Sequence, residues 1–131
     1  MITPLYIALS AILVVVLSIK VMRTRGRTKI YIGDGGNEEL SIAIGAHSNA
    51  TQYLPIALLL LFSLEYNQVN LIIVNVFGIF LLIGRLFHVY GLYTRKMRFR
   101  SIGMKMTIGP IVFLSLMNLV FLPWNKMLEM F

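Results

Sequence analysis

The sequence predicts an all-α membrane protein, a single domain over residues 1–131 that folds as a four-helix transmembrane bundle. Hydrophobic residues make up 58% of the chain and charged residues 13%, whereas soluble domains carry about 25% charged residues. The apolar residues fall into four long runs, at about residues 4–22, 40–64, 71–93 and 106–122. Each run is long enough to cross the hydrocarbon core as a helix, which takes about 20 residues.

Charge and cysteine content restrict the class of protein further. The net charge is +7 at neutral pH, but the positive residues cluster in two loops, so this charge does not indicate nucleic-acid binding. The chain contains no cysteine, which excludes disulfides, thiolate metal sites and a cysteine nucleophile. Two histidines without thiolates make a poor metal site, and we therefore expect no bound metal.

The first run is predicted to be a retained transmembrane helix. A cleaved signal peptide is the alternative, but no positive residue precedes the run and no small-x-small cleavage site follows it. Basic residues after an apolar run hold it in the membrane. Those that follow this run are Lys20, Arg23, Arg25, Arg27 and Lys29.

Residues 33–39 are glycine-rich and acidic, and they superficially suggest a phosphate-binding loop. Such a loop needs a Lys-Ser/Thr ending and a preceding strand, and neither is present. Glu38 and Glu39 instead favour the positive N-terminal end of a helix. We predict a turn followed by a helix start, with binding of a ligand amine by either glutamate as the alternative.

The second run opens with the polar pattern His47-x-Asn49-x-x-Gln52-Tyr53-x-Pro55. An unpaired polar group in hydrocarbon costs several kcal/mol, so these residues must meet other helices, water or a ligand. Asn49, Gln52 and Tyr53 share one helix face because they are three and four residues apart. Pro55 lacks an amide hydrogen and is expected to bend the helix.

The third run contains Gly84-Arg85-x-x-His88, whose two ionisable residues share one helix face. A charge inside a span costs at least about 2.5 kcal/mol, and Glu65 lies at the opposite end of its helix. Arg85 must therefore use carbonyls, amide oxygens, water or a bound anion. One hypothesis is that it holds the carboxylate of a ligand; the alternative is that it reaches the interface or joins subunits.

Positive charge predicts the orientation of the bundle. Residues 94–105 carry five basic residues, as does the end of the first run, whereas the loop at 65–70 has none. The positive-inside rule then places loops 23–39 and 94–105 in the cytoplasm and both termini on the opposite face. Both polar patterns and residues 94–105 would lie near one membrane face and could form one site. Trp124, after the fourth run, would lie in the interfacial aromatic belt.

The two polar patterns resemble those of the MAPEG family, the membrane-associated proteins of eicosanoid and glutathione metabolism. The resemblance rests on His-x-Asn-x-x-(Glu/Gln)-Tyr-x-Pro and on Gly-Arg-x-x-His, covers nearly the whole chain and is strongest to the small bacterial branch. It implies a homotrimer in a bacterial inner membrane, with ligand sites between neighbouring subunits and membrane lipid around them. It also implies a glutathione-dependent transferase or peroxidase acting on hydrophobic electrophiles.

The resemblance also implies roles for particular residues. Glutathione would be bound by His47, Asn49, Gln52, Tyr53, Arg85, His88 and Tyr93. The catalytic residues would be Arg100 and Ser101, because the family's active-site arginine begins the fourth segment and a serine follows it in some members; Arg98 is a competitor. A thiol with a pKa near 8.5 is mostly protonated at neutral pH, and a guanidinium would stabilise its thiolate. The alternative is that Arg100 only anchors the loop.

The sequence departs from the family pattern at several charged positions. Gly45 and Ser48 stand where many members have arginine, Gln52 replaces a glutamate, and Leu92 replaces a tyrosine. These departures favour a rival hypothesis, a non-catalytic membrane protein that binds a lipid or another anionic metabolite. A small transporter is a third possibility, but four short spans without an obvious inverted repeat do not support it.

Overall fold

The computed structural model describes residues 1–122. Four helices make up this part of the chain: α1 (Thr3–Thr28), α2 (Glu38–Tyr66), α3 (Leu71–Tyr93) and α4 (Met97–Val120). The prediction of an all-helical protein with four helices is thus confirmed for the described residues.

Three helices, α1, α3 and α4, are long and apolar enough to cross a membrane by length and composition. The fourth, α2, is 29 residues long but does not reach the same hydropathy, because the polar residues 47–53 interrupt it. Its neighbours shield it in part: the residues of α2 buried in the bundle include Ala46, Ala50, Ala57 and Leu61. A helix covered by other helices tolerates polar residues that a lipid-facing helix does not.

The helix bounds differ from the predicted runs at two places. The first helix continues past residue 22 to Thr28, and α4 begins at Met97 rather than near residue 106. The prediction of a loop over 94–105 is therefore wrong, and only residues 94–96 separate α3 from α4. Hydropathy marks the part of a helix that sits in hydrocarbon, whereas the backbone hydrogen bonds of a helix continue into polar sequence. Trp124 lies outside the described residues.

The segment between α1 and α2 is fixed by hydrogen bonds at both ends. The guanidinium of Arg25 donates to the carbonyl oxygens of Ile30 (3.0 Å) and Gly33 (2.8 Å). Asn37 caps α2, since its side-chain oxygen accepts from the amide of Leu40 at 2.9 Å. The predicted turn and helix start are confirmed, with both glutamates in the first turn of α2.

Glycines allow α3 and α4 to pack with their backbones in contact. A Cβ atom on Gly91 would lie 2.2 Å from the amide nitrogen of Arg100, and one on Gly103 would lie 2.4 Å from that of His88. Gly84 would meet the Cβ atom of Met106 at 2.7 Å. Small residues at such contacts let transmembrane helices approach closely. We call these three glycines the glycine seam, and it brings His88 next to the start of α4.

The opposite end of the bundle is held by a buried carboxylate. Glu65, near the end of α2, is 7% exposed. It accepts hydrogen bonds from the backbone amides of Ile2 and Thr3, the latter at 2.8 Å. A carboxylate at a helix N-terminus accepts hydrogen bonds from the free amides of the first turn and interacts favourably with the positive end of the helix dipole. Glu65 thus lies at the opposite end of α2 from Asn49, which contacts Arg85, as the sequence predicted.

Candidate functional site

Arg85 is the centre of a polar cluster that joins three helices. Its side chain is almost fully buried, at 1% exposure. One terminal nitrogen donates to the Asn49 side-chain oxygen at 2.6 Å, and the other donates to the Thr107 hydroxyl and, at 3.4 Å, to the Gly103 carbonyl. The Thr107 hydroxyl donates in turn to the Gly103 carbonyl at 2.9 Å. The cluster therefore links α2, α3 and α4.

These contacts decide among the partners that the sequence allowed for Arg85. An amide oxygen, a hydroxyl and a backbone carbonyl accept from its terminal nitrogens, and the ring of Tyr53 lies 5.9 Å from its guanidinium carbon. Within residues 1–122, its Nε atom has no hydrogen-bond partner. In one chain, Arg85 is therefore an internal crosslink, and direct contact of Arg85 with a ligand stays a prediction.

A cavity of about 270 Å³ lies beside this cluster, between α2, α3 and α4. Its lining residues are Asn49, His88, Met97, Arg100, Ser101 and Met104. Four of the site residues predicted from the sequence thus line one space. No carboxylate is among the lining residues, whereas Arg100 contributes a positive charge. The cavity is suited to an anionic group.

The first turns of α4 place the two catalytic candidates in this cavity. Because α4 begins at Met97, Arg100 and Ser101 are helical residues near the positive end of a helix dipole, which favours anions. The glycine seam fixes the position of Arg100 and Ser101 relative to α3, since the backbone of Arg100 contacts Gly91. Arg98 does not line the cavity, so the geometry favours Arg100 over its competitor.

His88 is buried in the wall of the cavity, at 4% exposure. Arg85 lies three residues earlier on the same helix face, and Arg100 of α4 lines the same cavity. The neutral form of an imidazole has one donor and one acceptor nitrogen. His88 can therefore contribute a hydrogen bond to a ligand while the two guanidinium groups supply the positive charge.

Three predicted site residues lie outside both this cavity and the cluster around Arg85 in the single chain. His47 is half-buried, and its backbone carbonyl accepts from the Thr51 hydroxyl at 3.2 Å. Gln52 is exposed on the surface of α2. The Tyr93 ring packs under Lys20 of α1, whose Nζ atom is 4.2 Å from the ring centroid. Their predicted roles stay predictions, and a single chain does not bring them to Arg100.

The sequence reasoning missed several residues of the site. Thr107 and Gly103, which complete the cluster around Arg85, and Met97 and Met104, which line the cavity, were not selected. Thr107 is polar and lies four residues after Gly103, so the sequence could have predicted that the two share one helix face. The sequence could not have predicted which residue of α3 they contact, because that depends on how the helices pack.

Among residues 1–122, no group of three or more histidine, cysteine, aspartate or glutamate side chains is arranged to hold a metal ion. The candidate site consists instead of a guanidinium, a hydroxyl, an imidazole and an amide. Such groups bind and polarise organic anions.

Comparison with known proteins identifies the family. The MAPEG family model matches residues 3–120. The chain belongs to the MAPEG family. It is also 41% identical, over 125 residues and 95% of each chain, to the inner membrane protein YecN of Escherichia coli strain K12 and to the same protein of E. coli O6:H1. The resemblance seen in the sequence is confirmed, and the names of these relatives state a location but no reaction.

Proposed function

We propose that this MAPEG protein is a glutathione-dependent transferase or peroxidase that acts on hydrophobic electrophiles. The observation that carries the proposal is the cavity that joins Asn49 and His88 of the two polar patterns to Arg100 and Ser101 of α4. A positively charged cavity without a carboxylate suits a thiolate. Membership of a family with glutathione-dependent members supplies the choice of thiol.

Activation of the sulfur is the central chemical step. The thiol of glutathione loses its proton to solvent, and the guanidinium of Arg100 stabilises the resulting thiolate, with the Ser101 hydroxyl as a hydrogen-bond donor. In the transferase reaction, the thiolate forms a bond to an electrophilic carbon while the leaving group departs with the electron pair of the broken bond. A free thiol has a pKa near 8.5, so lowering this pKa raises the fraction of glutathione that is present as the nucleophilic thiolate at neutral pH.

The other predicted residues position the tripeptide in this proposal. Asn49 and His88 face the cavity and offer hydrogen bonds, while Arg85 holds Asn49 in place through its 2.6 Å contact. Gln52 is exposed on one chain, which fits a site completed by a neighbouring copy in a homotrimer. His47, Tyr53 and Tyr93 would join the site in the same way.

A second, apolar groove provides room for the electrophile. It has a volume of about 470 Å³ and is lined by Ile83, Leu86, Phe87, Tyr90 and Phe99. The rings of Phe87 and Tyr90 pack against Phe99, with centroids 5.9 and 5.2 Å apart. Phe99 immediately precedes Arg100, so a hydrophobic molecule in this groove would be close to the catalytic candidate. We assign the groove to substrates that arrive through the bilayer.

We also propose an inner-membrane location with the site on the cytoplasmic side. The relatives are named as inner membrane proteins, and three helices of this chain are apolar enough to span a membrane. The basic ends of α1 and α4 would face the cytoplasm by the positive-inside rule. The N-terminus and the C-terminal segment would then lie on the opposite face.

Thiolate formation on the purified protein tests the proposal directly. Glutathione added to the detergent-solubilised protein should give the ultraviolet absorbance band of a thiolate at neutral pH. Arg100→Ala should abolish the band, and Arg98→Ala is the matched control because it removes an exposed arginine of the same helix outside the cavity. Equal bands in the wild-type protein and Arg100→Ala would remove Arg100 from the mechanism.

One observation favours a second candidate function, binding of a different anionic metabolite without catalysis. The oxygen of Asn49 is already bound by Arg85, and the family's charges are missing at Gly45, Ser48 and Gln52. Gly45 and Gln52 are exposed, and nothing lies within 4 Å of a Cβ atom at Gly45, so larger side chains fit. A large gain in glutathione affinity in Gly45→Arg/Gln52→Glu would indicate that the native site serves another ligand.

A further inference from the structure

A thioether faces the same cavity as the two catalytic candidates. Met104 is half-buried and lines the cavity together with Arg100 and Ser101. The side-chain nitrogen of Asn49 donates to its sulfur, and the Nδ2 and Sδ atoms are 3.9 Å apart. Neither the proposed ionisation of the thiol nor the positioning of the tripeptide uses this sulfur.

The contact with the sulfur follows from the way in which Asn49 is held. Its side-chain oxygen accepts a hydrogen bond from Arg85 at 2.6 Å, so its NH2 group is directed away from Arg85 and toward Met104 of α4. The NH2 group has two N–H donors, whereas a thioether sulfur is only a weak acceptor. Met104 therefore uses the donor capacity of Asn49 only in part.

Helical spacing brings the positive charge of the cavity to the same sulfur. Met104 lies four residues after Arg100 and three after Ser101, so the three side chains share one face of α4. A strong acceptor at the sulfur would therefore lie among an amide, a hydroxyl and a guanidinium. No carboxylate is among the residues that line the cavity, so no anionic side chain of its wall competes for these donors.

Oxidation of the sulfur creates a strong acceptor at this position. The chain has eight methionines and no cysteine, so methionine is the residue through which its own sulfur atoms can react with a peroxide. A thioether takes up one oxygen atom and becomes a polar sulfoxide, which methionine sulfoxide reductases convert back. The S–O oxygen of an oxidised Met104 would lie among the donors that are arranged for a bound anion.

We propose that Met104 is a site of reversible oxidation by hydrophobic hydroperoxides and that its sulfoxide closes the cavity to anionic ligands. The sulfur attacks the terminal oxygen of the hydroperoxide, and the S–O bond forms as the O–O bond breaks. The sulfur is oxidised by two electrons, and the proton of the transferred oxygen passes to the departing alkoxide to give an alcohol. Arg100 and the amide of Asn49 stabilise the negative charge that develops on the alkoxide.

The sulfoxide oxygen then accepts hydrogen bonds from Asn49 and Arg100. These donors are no longer available to a ligand, so oxidation closes the site until a reductase removes the oxygen. The oxidation itself requires no glutathione. The loss of glutathione binding on oxidation rests on the proposed function.

Peptide mapping by mass spectrometry tests the oxidation site. The full-length, detergent-solubilised protein is treated briefly with cumene hydroperoxide, and Met22 and Met97, which are 59% and 66% exposed, serve as internal references. The denatured chain gives the intrinsic rate of each residue. Relative to those rates, we expect native Met104 to be oxidised about fivefold faster than either reference, because the cavity stabilises the departing alkoxide, and Arg100→Ala should remove this preference.

Two results of the peptide map would overturn the proposal. Slower oxidation of Met104 than of Met22 and Met97 would show that burial alone sets its rate. An unchanged preference for Met104 in Arg100→Ala would show that the charge of the cavity plays no part.

Glutathione titration before and after oxidation tests the consequence, with the hydroperoxide removed beforehand. The oxidised wild-type protein should bind about tenfold more weakly than its own reduced form, since a charge-assisted hydrogen bond to the ligand is lost, and methionine sulfoxide reductase should restore binding. Met104→Leu should have one affinity before and after treatment. Met97→Leu is the matched control, because it removes the other sulfur of the cavity and should still lose affinity on oxidation.

The two proposals fail in different ways. An equal loss of affinity in Met104→Leu, or no loss in the oxidised wild type, would contradict closure of the cavity by the sulfoxide. If the reduced wild-type protein binds no glutathione, the proposed function fails, while the peptide map still decides whether Met104 is the oxidation site.

Discussion

Replacement of Gly91 by alanine tests whether the contact between α3 and α4 sets the position of Arg100. The added Cβ atom would lie 2.2 Å from the amide nitrogen of Arg100 and 2.8 Å from its Cα atom. Non-bonded heavy atoms normally stay about 3.5 Å apart. Because the obstructing atoms belong to the backbone, no side-chain rotation relieves the overlap. The start of α4 must therefore move by about 1 Å.

The size of that displacement predicts two measurable effects. Overpacking of this kind costs about 1–3 kcal/mol, so we expect the thermal unfolding midpoint in detergent to fall. A 1 Å misplacement of a catalytic group can reduce the rate about 100-fold, so we also expect the glutathione thiolate band to be lost or strongly weakened. Both effects would be measured on the same purified sample.

Gly26→Ala is the control for Gly91→Ala. Gly26 also lies in a helix, but nothing is within 4 Å of a Cβ atom at that position, so the change should be neutral or stabilise the helix by up to about 1 kcal/mol. A Gly91→Ala protein with wild-type melting would refute the close backbone contact. Reduced melting with an unchanged thiolate band would instead refute the link between the glycine seam and the placement of Arg100.

Three further substitutions test the contacts that hold the bundle together. Arg85→Met should destabilise the protein by about 2–4 kcal/mol, because three charge-assisted hydrogen bonds are lost and the removal of a buried charge offsets this loss only in part; a denaturation curve like that of the wild type would contradict the crosslink. Glu65→Gln should cost about 1–3 kcal/mol, since the N-terminus of α1 loses a buried carboxylate, and an unchanged melting midpoint would exclude this cap. Asn118→Leu should lower the free energy of unfolding by about 1 kcal/mol, because the 3.0 Å hydrogen bond to the carbonyl of Leu60 is lost. A melting midpoint equal to that of the wild type would contradict this contact.

The helices could be predicted from the sequence where apolar sequence and helix coincide. The bounds of α3 match the third run, which is apolar from residue 71 and capped by Asn70. The start of α4 could not be found in this way, because residues 97–105 mix three basic residues with apolar ones and are nevertheless helical. Hydropathy reports the contact of a residue with lipid, and it says little about backbone conformation outside the bilayer.

The site was predictable only within one helix at a time. The cost of burying a charge required partners for Arg85, and an amide oxygen was among the predicted kinds. Helical spacing also grouped Asn49, Gln52 and Tyr53, but Asn49 and Tyr53 lie toward Arg85 while Gln52 is exposed. Spacing fixes the angle between residues on a helix, whereas the rotation of that helix against its neighbours depends on packing across the bundle.

Calorimetric titration of glutathione into the purified, detergent-solubilised protein tests the central claim most directly. The cavity beside Arg85 is proposed as the thiol site, so the wild-type protein should bind glutathione in the sub-millimolar to millimolar range. Binding should weaken strongly in Arg100→Ala and persist in Arg98→Ala. Absence of binding to the wild-type protein, or equal binding to all three proteins, would contradict a glutathione-dependent function and favour a different anionic ligand.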